Sequence, residues 1–301
     1  MSPEARQEKL NDLKIGWIGV GKMGSPMARN LQKAGFTVVV YDADLSRLTD
    51  SGFERAQSVE ALSRETDIVI SMIPNDQALR EIVLGPDRIR LGPGKFFIDL
   101  STVSPAVSAE CGRVLEQSCV DYIRGAVSGS TELAEAARLT VMLSGPTTAI
   151  ERCRLLFNAL GNKIFVVGTG EEARYLKLVI NTMVAATAVM CAEALVLGER
   201  GGIEWNRMLD VIADSVVASP LVNYKIQLLR KRDFTPAFSC QQMVKDLGLA
   251  VDAAQACGIS LPLLSDVNAL FHRTVAEGEG DLDFFAALRS VERSAGIDPG
   301  H

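Results

Sequence analysis

Two polar side chains interrupt a long apolar stretch in the second half of the chain. Lys177 and Asn181 stand four residues apart within Leu176–Leu197, which contains neither proline nor glycine. On an α-helix this spacing puts both side chains on one face, one turn apart. A lysine amine with a lowered pKa can give a proton to an oxygen or take one from it, and an amide can orient either group. The spacing is equally typical of a salt-bridged lysine and a solvated asparagine at a helix edge.

The stretch that carries this pair is also long enough to cross a membrane. Lys177, Asn181 and Glu193 lie within it, and polar side chains of this kind argue against a membrane span. We therefore expect a buried helix of a large soluble protein and no membrane partner.

The composition narrows the class of protein. The chain has 301 residues, of which 48% are hydrophobic and 23% charged, so we expect two globular domains of ordinary size. The net charge of −6 gives no basic surface that would indicate a nucleic-acid partner. The six cysteines show no zinc-binding spacing, and the polar N-terminus lacks a signal peptide. Together these features predict a cytoplasmic protein without a metal site.

The N-terminal sequence has the pattern of a dinucleotide-binding turn. An apolar run leads into Gly19-x-Gly21-x-x-Gly24, then a helical segment, and then a second apolar run that ends at Asp42. These glycines permit a tight turn, a close approach of the backbone to a pyrophosphate and close helix packing. Asp42 can accept hydrogen bonds from both hydroxyls of the adenosine ribose and repel a 2′-phosphate. The cofactor is therefore predicted to be NAD rather than NADP. Arg47 is the residue that could instead turn towards the 2′-phosphate of NADP.

Strand and helix patterns alternate as far as Gly168. The apolar runs that follow the first one predict strands at Phe36–Tyr41, Asp67–Ile73, Lys95–Leu100, Tyr122–Val127, Leu139–Ser144 and Lys163–Val167. Repeated βα units predict a parallel, doubly wound α/β sheet in a Rossmann domain at residues 13–168. Beyond it, helical periodicity predicts an all-α domain at residues 169–295, joined to the first through a long interdomain helix. Its later helices are predicted at Trp205–Val217, Pro220–Lys231, Cys240–Cys257, Pro262–Glu277 and Phe284–Ser294.

Five short motifs follow one another along the chain. They are IGWIGVGKMGSPMARNL at residues 15–31, DLSTVSP at residues 99–105, Val127-Ser128-Gly129-Ser130, Lys177-x-x-x-Asn181 and Lys245-Asp246-Leu247. In this order they resemble the β-hydroxyacid dehydrogenase family, which includes 3-hydroxyisobutyrate dehydrogenase and tartronate semialdehyde reductase. The resemblance covers nearly the whole chain, so it is more specific than any single motif.

The resemblance implies a reaction and a set of site residues. The reaction moves a hydride between NAD, with NADP as the alternative, and a short 3-hydroxyacid or semialdehyde. Lys177 is the implied general acid/base and Asn181 its catalytic partner. The implied substrate-binding residues, which would hold a carboxylate, are Ser128, Gly129, Ser130 and Lys245. The implied cofactor-binding residues are Gly19, Val20, Gly21, Lys22, Met23, Gly24, Asp42, Met72, Ile73, Pro74, Thr102 and Lys245. The implied assembly is a homodimer or homotetramer with a 6-phosphogluconate dehydrogenase-like C-terminal domain.

The chain also departs from the family pattern. Where the family writes D-A-P-V-S-G-G, this sequence has Arg124 and Ala126, and two later glycines are Glu132 and Ala137. Arg124 could add a cation near the substrate pocket or lie at the surface.

Two alternative functions follow from the same architecture. One is an imine reductase-like NADPH enzyme, for which Tyr175 offers a proton donor. The other is a non-catalytic, cofactor-binding interaction protein. Lys177 favours the hydroxyacid enzyme over both.

Overall fold

A computed structural model describes residues 13–49 and 51–298 of the chain. These residues divide into two compact units, one ending at Lys177 and the other beginning at Leu178. The division therefore falls inside a long helix rather than after Gly168, where the sequence pattern changes.

The first unit is built on one eight-stranded sheet. Its strands are β1 (Lys14–Ile18), β2 (Thr37–Tyr41), β3 (Glu54–Arg55), β4 (Ile68–Ser71), β5 (Phe96–Asp99), β6 (Asp121–Ser128), β7 (Leu139–Ser144) and β8 (Gly161–Gly168). Their order across the sheet is β3-β2-β1-β4-β5-β6-β7-β8. The predicted apolar runs all form strands, whereas the short, exposed strand β3 has no apolar pattern and was missed.

One pair of strands departs from the expected parallel arrangement. β6 and β7 are antiparallel, while the other neighbouring pairs are parallel. The connection between β6 and β7 holds only a short helix. A parallel return needs a crossover of a dozen residues or more, so this connection turns the chain back beside itself.

Helices cover both faces of this sheet. They are α1 (Gly24–Lys33), α2 (Val59–Arg64), α3 (Asp76–Leu84), α4 (Pro105–Gln117), α5 (Thr131–Glu135), α6 (Thr147–Arg152) and α7 (Arg154–Leu160), with a 3₁₀ turn at Leu45–Leu48. Alternate residues of the strands pack into two separate hydrophobic cores. Trp17 belongs to one core and Phe97 to the other. This confirms the doubly wound architecture, which places loops at the carboxyl ends of the strands for ligand binding.

The second unit is helical. It contains most of α8 (Glu172–Arg200), then α9 (Trp205–Ala213), α10 (Pro220–Arg230), α11 (Cys240–Ala256), α12 (Pro262–Thr274) and α13 (Ala287–Ser294). The predicted helix Pro262–Glu277 ends in a π-helical turn at Val275–Glu279. The predicted helix Phe284–Ser294 begins with a 3₁₀ turn at Phe284–Ala286. The helices pack around one core that includes Leu209, Leu247 and Phe271. The predicted all-helical domain is therefore confirmed.

The helix α8 is long and apolar enough, by length and composition, to cross a membrane. Of an apolar 18-residue stretch within it, 39% is buried. Core helices of soluble proteins pass the same test. It carries Lys177 and Asn181 on consecutive turns, as the sequence predicts.

Candidate active site

The glycine-rich turn joins β1 to α1. Gly19 has φ +95°, and a Cβ there would lie 2.2 Å from the carbonyl oxygen of Met72. A Cβ on Gly24 would lie 1.9 Å from the carbonyl oxygen of Gly19, so both positions require glycine. A Cβ on Gly21 would meet nothing nearer than Nη1 of Arg47 at 3.5 Å. Packing within the chain does not require Gly21, and the open space beside it fits the close approach of a dinucleotide pyrophosphate.

Asp42 directly follows β2, beside this turn, and is buried. One carboxylate oxygen accepts from the backbone N–H of Val20 at 2.8 Å, and the other accepts from that of Asp44 at 2.9 Å. Arg47 lies nearer than the sequence suggested: its Nη1 is 3.7 Å from Asp42 Oδ2, and its Nε is 3.2 Å from Asp44 Oδ2. Asp42 therefore anchors the turn as well as marking the expected ribose position.

The loops after β4 and β5 meet the same turn. The backbone N–H of Met72 donates to Ile18 O at 2.8 Å, and that of Ile73 donates to Ser101 Oγ at 2.8 Å. Pro74 and Thr102 follow directly in these two loops. The structure thus brings the cofactor residues expected in the first unit to one edge of the sheet, with Val20, Lys22 and Met23 inside the glycine-rich turn itself.

The Ser128–Ser130 turn leaves β6 at the same edge. Gly129 has φ +146°, and a Cβ there would lie 2.8 Å from Leu139 Cδ2. The Ser130 hydroxyl caps α5 by accepting from the backbone N–H of Leu133 at 3.4 Å. The Ser130 hydroxyl therefore stabilises a helix as an acceptor, while its own O–H can still donate, so its substrate-binding role stays a prediction. The turn thus offers the hydroxyls of Ser128 and Ser130 and its backbone N–H groups as hydrogen-bond donors.

Arg124 contributes to the fold of the first unit. Its Nε donates to Glu171 Oε1 at 2.8 Å, and its guanidinium stacks on the Tyr122 ring at 4.3 Å from the ring centre. Its Nη1 also donates to Tyr122 O at 3.2 Å. These contacts hold the guanidinium between β6 and the segment before α8, so its charge is balanced there by a carboxylate.

Lys177 contacts the end of β6, which extends beyond the neighbouring strand β5. The last residue pair between β5 and β6 is Asp99 opposite Arg124, so the rest of β6 has no β5 partner. On that stretch the carbonyl of Val127 accepts from Lys177 Nζ at 3.0 Å. The amine is therefore held one residue before Ser128, at the carboxyl end of the sheet.

Asn181 belongs to the second unit and is buried there. Its Nδ2 donates to Asp246 Oδ2 at 2.5 Å, and Lys245 Nζ lies 2.8 Å from Asp246 Oδ1. Asp246 thus links two predicted site residues and orients the Asn181 amide. Asp246 belongs to the Lys245-Asp246-Leu247 motif, but nothing in that motif indicated this role.

Sequence reasoning missed Arg174, which lies one turn before Lys177 and is almost completely buried against Asp99. The available signal was an arginine in the apolar first turns of α8. Among residues 13–49 and 51–298, no group of three or more His, Cys, Asp or Glu side chains could hold a metal ion.

Comparisons with known proteins agree with this geometry. Residues 14–168 match the family described as the NAD binding domain of 6-phosphogluconate dehydrogenase. Residues 170–291 match that described as NAD-binding of NADP-dependent 3-hydroxyisobutyrate dehydrogenase.

Individual proteins resemble the chain along almost its whole length. The 2-(hydroxymethyl)glutarate dehydrogenase of Eubacterium barkeri is 30% identical over 95% of this chain and 97% of its own. The NAD-dependent L-serine dehydrogenase of Pseudomonas aeruginosa is 30% identical over 94% of this chain and 99% of its own. A solved Mycobacterium tuberculosis 3-hydroxyisobutyrate dehydrogenase with L-serine superimposes with a TM-score of 0.83 at 29% identity, covering 93% and 99% of the two chains.

Proposed function

The chain belongs to the β-hydroxyacid dehydrogenase family and is an NAD(P)-dependent hydroxyacid dehydrogenase, and from this premise we propose its substrate class and the role of Lys177. The substrate is a short 3-hydroxyacid or the matching semialdehyde. Lys177 is the general acid/base. The observation that carries the proposal is the Lys177 amine held on the Val127 carbonyl, next to the Ser128 turn and at the sheet edge that binds the cofactor.

The residues fit a nicotinamide dinucleotide. The glycine-rich turn would hold its pyrophosphate, Asp42 its adenosine ribose, and the Met72–Pro74 and Thr102 loops the remainder. When bound, the cofactor supplies or accepts a hydride.

Lys177 handles the proton that accompanies this hydride. In reduction the ammonium donates a proton to the carbonyl oxygen as that oxygen gains charge, and in oxidation the neutral amine removes the hydroxyl proton. The Asn181 amide, fixed by Asp246, orients the substrate oxygen.

The substrate carboxylate binds at the turn that follows β6. The Ser128 hydroxyl and the backbone N–H groups of Gly129 and Ser130 are hydrogen-bond donors, and the turn presents no carboxylate of its own. Arg124 adds no net charge to this pocket, since Glu171 neutralises it. Short acids that need a few well-placed donors therefore fit better than acids that require a free arginine.

The experiment is turnover of a panel of short hydroxyacids with NAD⁺ and NADP⁺, and of cyclic imines with NADPH, by the wild type and by Lys177→Ala. We expect oxidation of at least one 3-hydroxyacid, with a rate that the substitution lowers by about 10²–10⁴-fold. Imine reduction without acid oxidation would favour the imine reductase alternative. Cofactor binding without turnover of either class would favour the interaction protein.

We also propose that NAD is preferred over NADP, as the position of Asp42 suggests. A carboxylate at the end of β2 disfavours a 2′-phosphate, and the exposed Arg47 guanidinium is shared between Asp42 and Asp44. A cytoplasmic location likewise stays a prediction from the sequence.

We further infer that the protein is a homodimer or homotetramer assembled through the second unit. Exposed apolar side chains follow one side of α8 at intervals of four and then seven residues: Val179, Met183, Met190 and Leu197. Such spacing is typical of a helix face that packs against another helix. An apolar groove beside it is lined by Thr182, Ala186 and Leu261–Leu264. Light scattering at micromolar concentration would give more than one chain per particle, and Met183→Glu would lower that mass; an active monomer would contradict the inference.

A further inference from the structure

Arg174 forms a buried hydrogen-bond network at the start of α8. Its side chain is only 1% exposed, and all its recorded partners belong to the first unit. The five acceptors and their distances are Ser108 Oγ at 3.1 Å, Ser101 O at 2.9 Å, Gly125 O at 2.7 Å, Asp99 Oδ2 at 2.6 Å and Tyr122 Oη at 2.9 Å. Every nitrogen of the guanidinium therefore donates at least one hydrogen bond.

Asp99 extends this network to the loops that face the cofactor. Its Oδ1 accepts from the hydroxyls of Ser71 at 2.7 Å and Ser101 at 2.5 Å. The Ser101 hydroxyl accepts in turn from the backbone N–H of Ile73. Burying a charged pair costs free energy unless its remaining hydrogen-bonding groups are satisfied, and here both partners are satisfied. The ends of β4 and β5 are thus joined to α8 through one ion pair.

Tyr122 completes the network from β6. Burial raises the pKa of Tyr122 to about 12, so its hydroxyl keeps its proton and shares a hydrogen bond with Ser108. Burial lowers the pKa of Arg174, but Tyr122 and Asp99 outweigh this effect and raise it overall. The guanidinium therefore stays charged at any pH at which the protein is folded.

Arg174 and Lys177 contact β6 in parallel. Arg174 donates to the carbonyl of Gly125, and Lys177 donates to the carbonyl of Val127. The donors are three residues, about 4.5 Å, apart along the helix axis, and the acceptors are two residues, about 6.6 Å, apart along the strand; the long arginine and lysine side chains span the difference. Two contacts fix the rotation and the sliding of this helical turn, whereas the lysine alone would fix neither.

We propose that Arg174 is a positioning residue, which holds the first turn of α8 so that the Lys177 amine keeps one place relative to the Ile73 and Thr102 loops. The inference rests on the proposed acid/base role of Lys177. Proton transfer needs heavy atoms within hydrogen-bond distance, so displacement by a fraction of an ångström lowers turnover while substrate binding is retained.

Lysine cannot replace Arg174 in this role. Its ammonium could pair with Asp99, but it lacks the planar fork that reaches Gly125, Ser101 and Tyr122 together. Arg174→Lys therefore preserves charge and bulk while losing geometry. Ile98→Val, which removes one buried methylene from β5 between the same segments, is the matched control for a modest loss of stability.

The kinetic test compares the wild type with Arg174→Lys and Ile98→Val after their folded fractions have been equalised. We expect Arg174→Lys to lower kcat at least about tenfold, with the substrate KM and the NADH dissociation constant within about twofold. Ile98→Val should keep wild-type kcat. Arg174→Lys with wild-type kcat, or with kcat and NADH affinity lost together, would overturn the proposal.

A second test needs no substrate, so it separates this proposal from the proposed function. Acylation of Lys177 by an amine-reactive reagent is followed against pH by peptide mass spectrometry. In Arg174→Gln a nearby cation is lost while the Asp99 carboxylate remains, and the resulting net negative charge favours the charged ammonium. The other charged groups around this turn are Arg124 and Glu171, which pair with each other, and Glu172, which accepts from the backbone N–H of Gly170 at 2.7 Å. On the second unit, Lys245 and Asp246 form their own pair.

We expect the labelling midpoint of Lys177 to rise by at least about half a pH unit in Arg174→Gln and to stay unchanged in Ile98→Val. An unchanged midpoint in a folded Arg174→Gln would refute the positioning role. If the wild type oxidised no hydroxyacid and the midpoint still moved, the proposed function would fail while the structural link between Arg174 and Lys177 stood.

Discussion

The two units of this protein each bury one pair of opposite charges, and the pairs are built differently. In the first unit Arg174 lies 2.6 Å from Asp99, and in the second Lys225 lies 2.7 Å from Asp283; all four side chains are nearly inaccessible. Arg174 donates to five acceptors drawn from β5, β6, α4 and the loop after β5. Lys225 donates to Asp283 alone among its recorded hydrogen bonds, and its ammonium lies over aromatic rings, the nearest being Phe284 at 4.6 Å.

These two buried ion pairs join different parts of the molecule, so we expect them to have different roles. The Arg174 network joins segments that carry predicted cofactor and substrate residues, one turn from Lys177. The Lys225 pair joins α10 to the turn before α13, inside a core of helices. We therefore expect loss of Arg174 to affect turnover and loss of Lys225 to affect stability.

The largest effect expected is from Lys177→Ala, which removes the group that the Arg174 network serves. Turnover should fall by about 10²–10⁴-fold, the usual contribution of a positioned proton donor. Lys177→Arg should not restore it, because a guanidinium does not release its proton near neutral pH. Cofactor affinity, measured by NADH fluorescence, should be retained, since the glycine-rich turn is unchanged. Wild-type turnover in Lys177→Ala would leave Tyr175 and Lys245 as candidates.

Lys225→Met tests the other side of the comparison. It leaves Asp283 buried without its cation, which should lower the free energy of unfolding by roughly 3–5 kcal/mol. Urea unfolding followed by circular dichroism measures this loss. The double variant Lys225→Met with Asp283→Leu should recover much of it, because no buried charge is left unpaired. A fall in kcat of the folded Lys225→Met enzyme as large as that of Arg174→Lys would erase the distinction between the pairs.

Ser128→Ala and its neighbour Ser130→Ala separate binding from stability within one turn. Ser128→Ala should raise KM more than it lowers kcat, by about 1–3 kcal/mol for a hydrogen bond to a charged group. Ser130→Ala removes a helix cap and should cost about 1 kcal/mol of stability, with a smaller rise in KM than Ser128→Ala. Steady-state kinetics and thermal unfolding of both variants provide the check. Equal KM values for Ser128→Ala and wild type would remove that hydroxyl from the substrate site.

The smallest effect expected concerns Arg47, whose exposed guanidinium lies beside the buried Asp42 and is screened by water. Arg47→Ala should increase the preference for NAD⁺ over NADP⁺ by about two- to fivefold, the scale of an exposed ion pair. The ratio of kcat/KM for the two cofactors measures it, with the remote Arg64→Ala as control. A wild type that clearly preferred NADPH would contradict the assignment of Asp42.

The sequence predicted the parts of this molecule that depend on local pattern. Gly19, Gly21 and Gly24 indicated a nucleotide-binding turn because each glycine has a backbone reason visible in the spacing. The apolar runs indicated the strands, and the spacing of Lys177 and Asn181 placed them on one face of α8. These features follow from residues close together in the chain.

The contacts that join distant segments could not be predicted in this way. Nothing near Arg174 in the sequence points to Asp99 or Tyr122, and nothing near Asn181 points to Asp246. The sequence did not mark the start of the short helix that the Ser130 hydroxyl caps, so this second role of Ser130 was not predicted. The strand β7 was predicted, but its antiparallel direction was not, because an apolar run has the same pattern in either direction.

The proposed mechanism requires Lys177 to exchange the proton, and the pH dependence of hydroxyacid oxidation tests this role directly. With saturating NAD⁺ and substrate, kcat of the wild type should fall as pH decreases, because protonation of Lys177 removes the base. Lys177→Ala should show a low rate without that acidic decline. The same decline in both enzymes would show that another group accepts the proton and would contradict the mechanism.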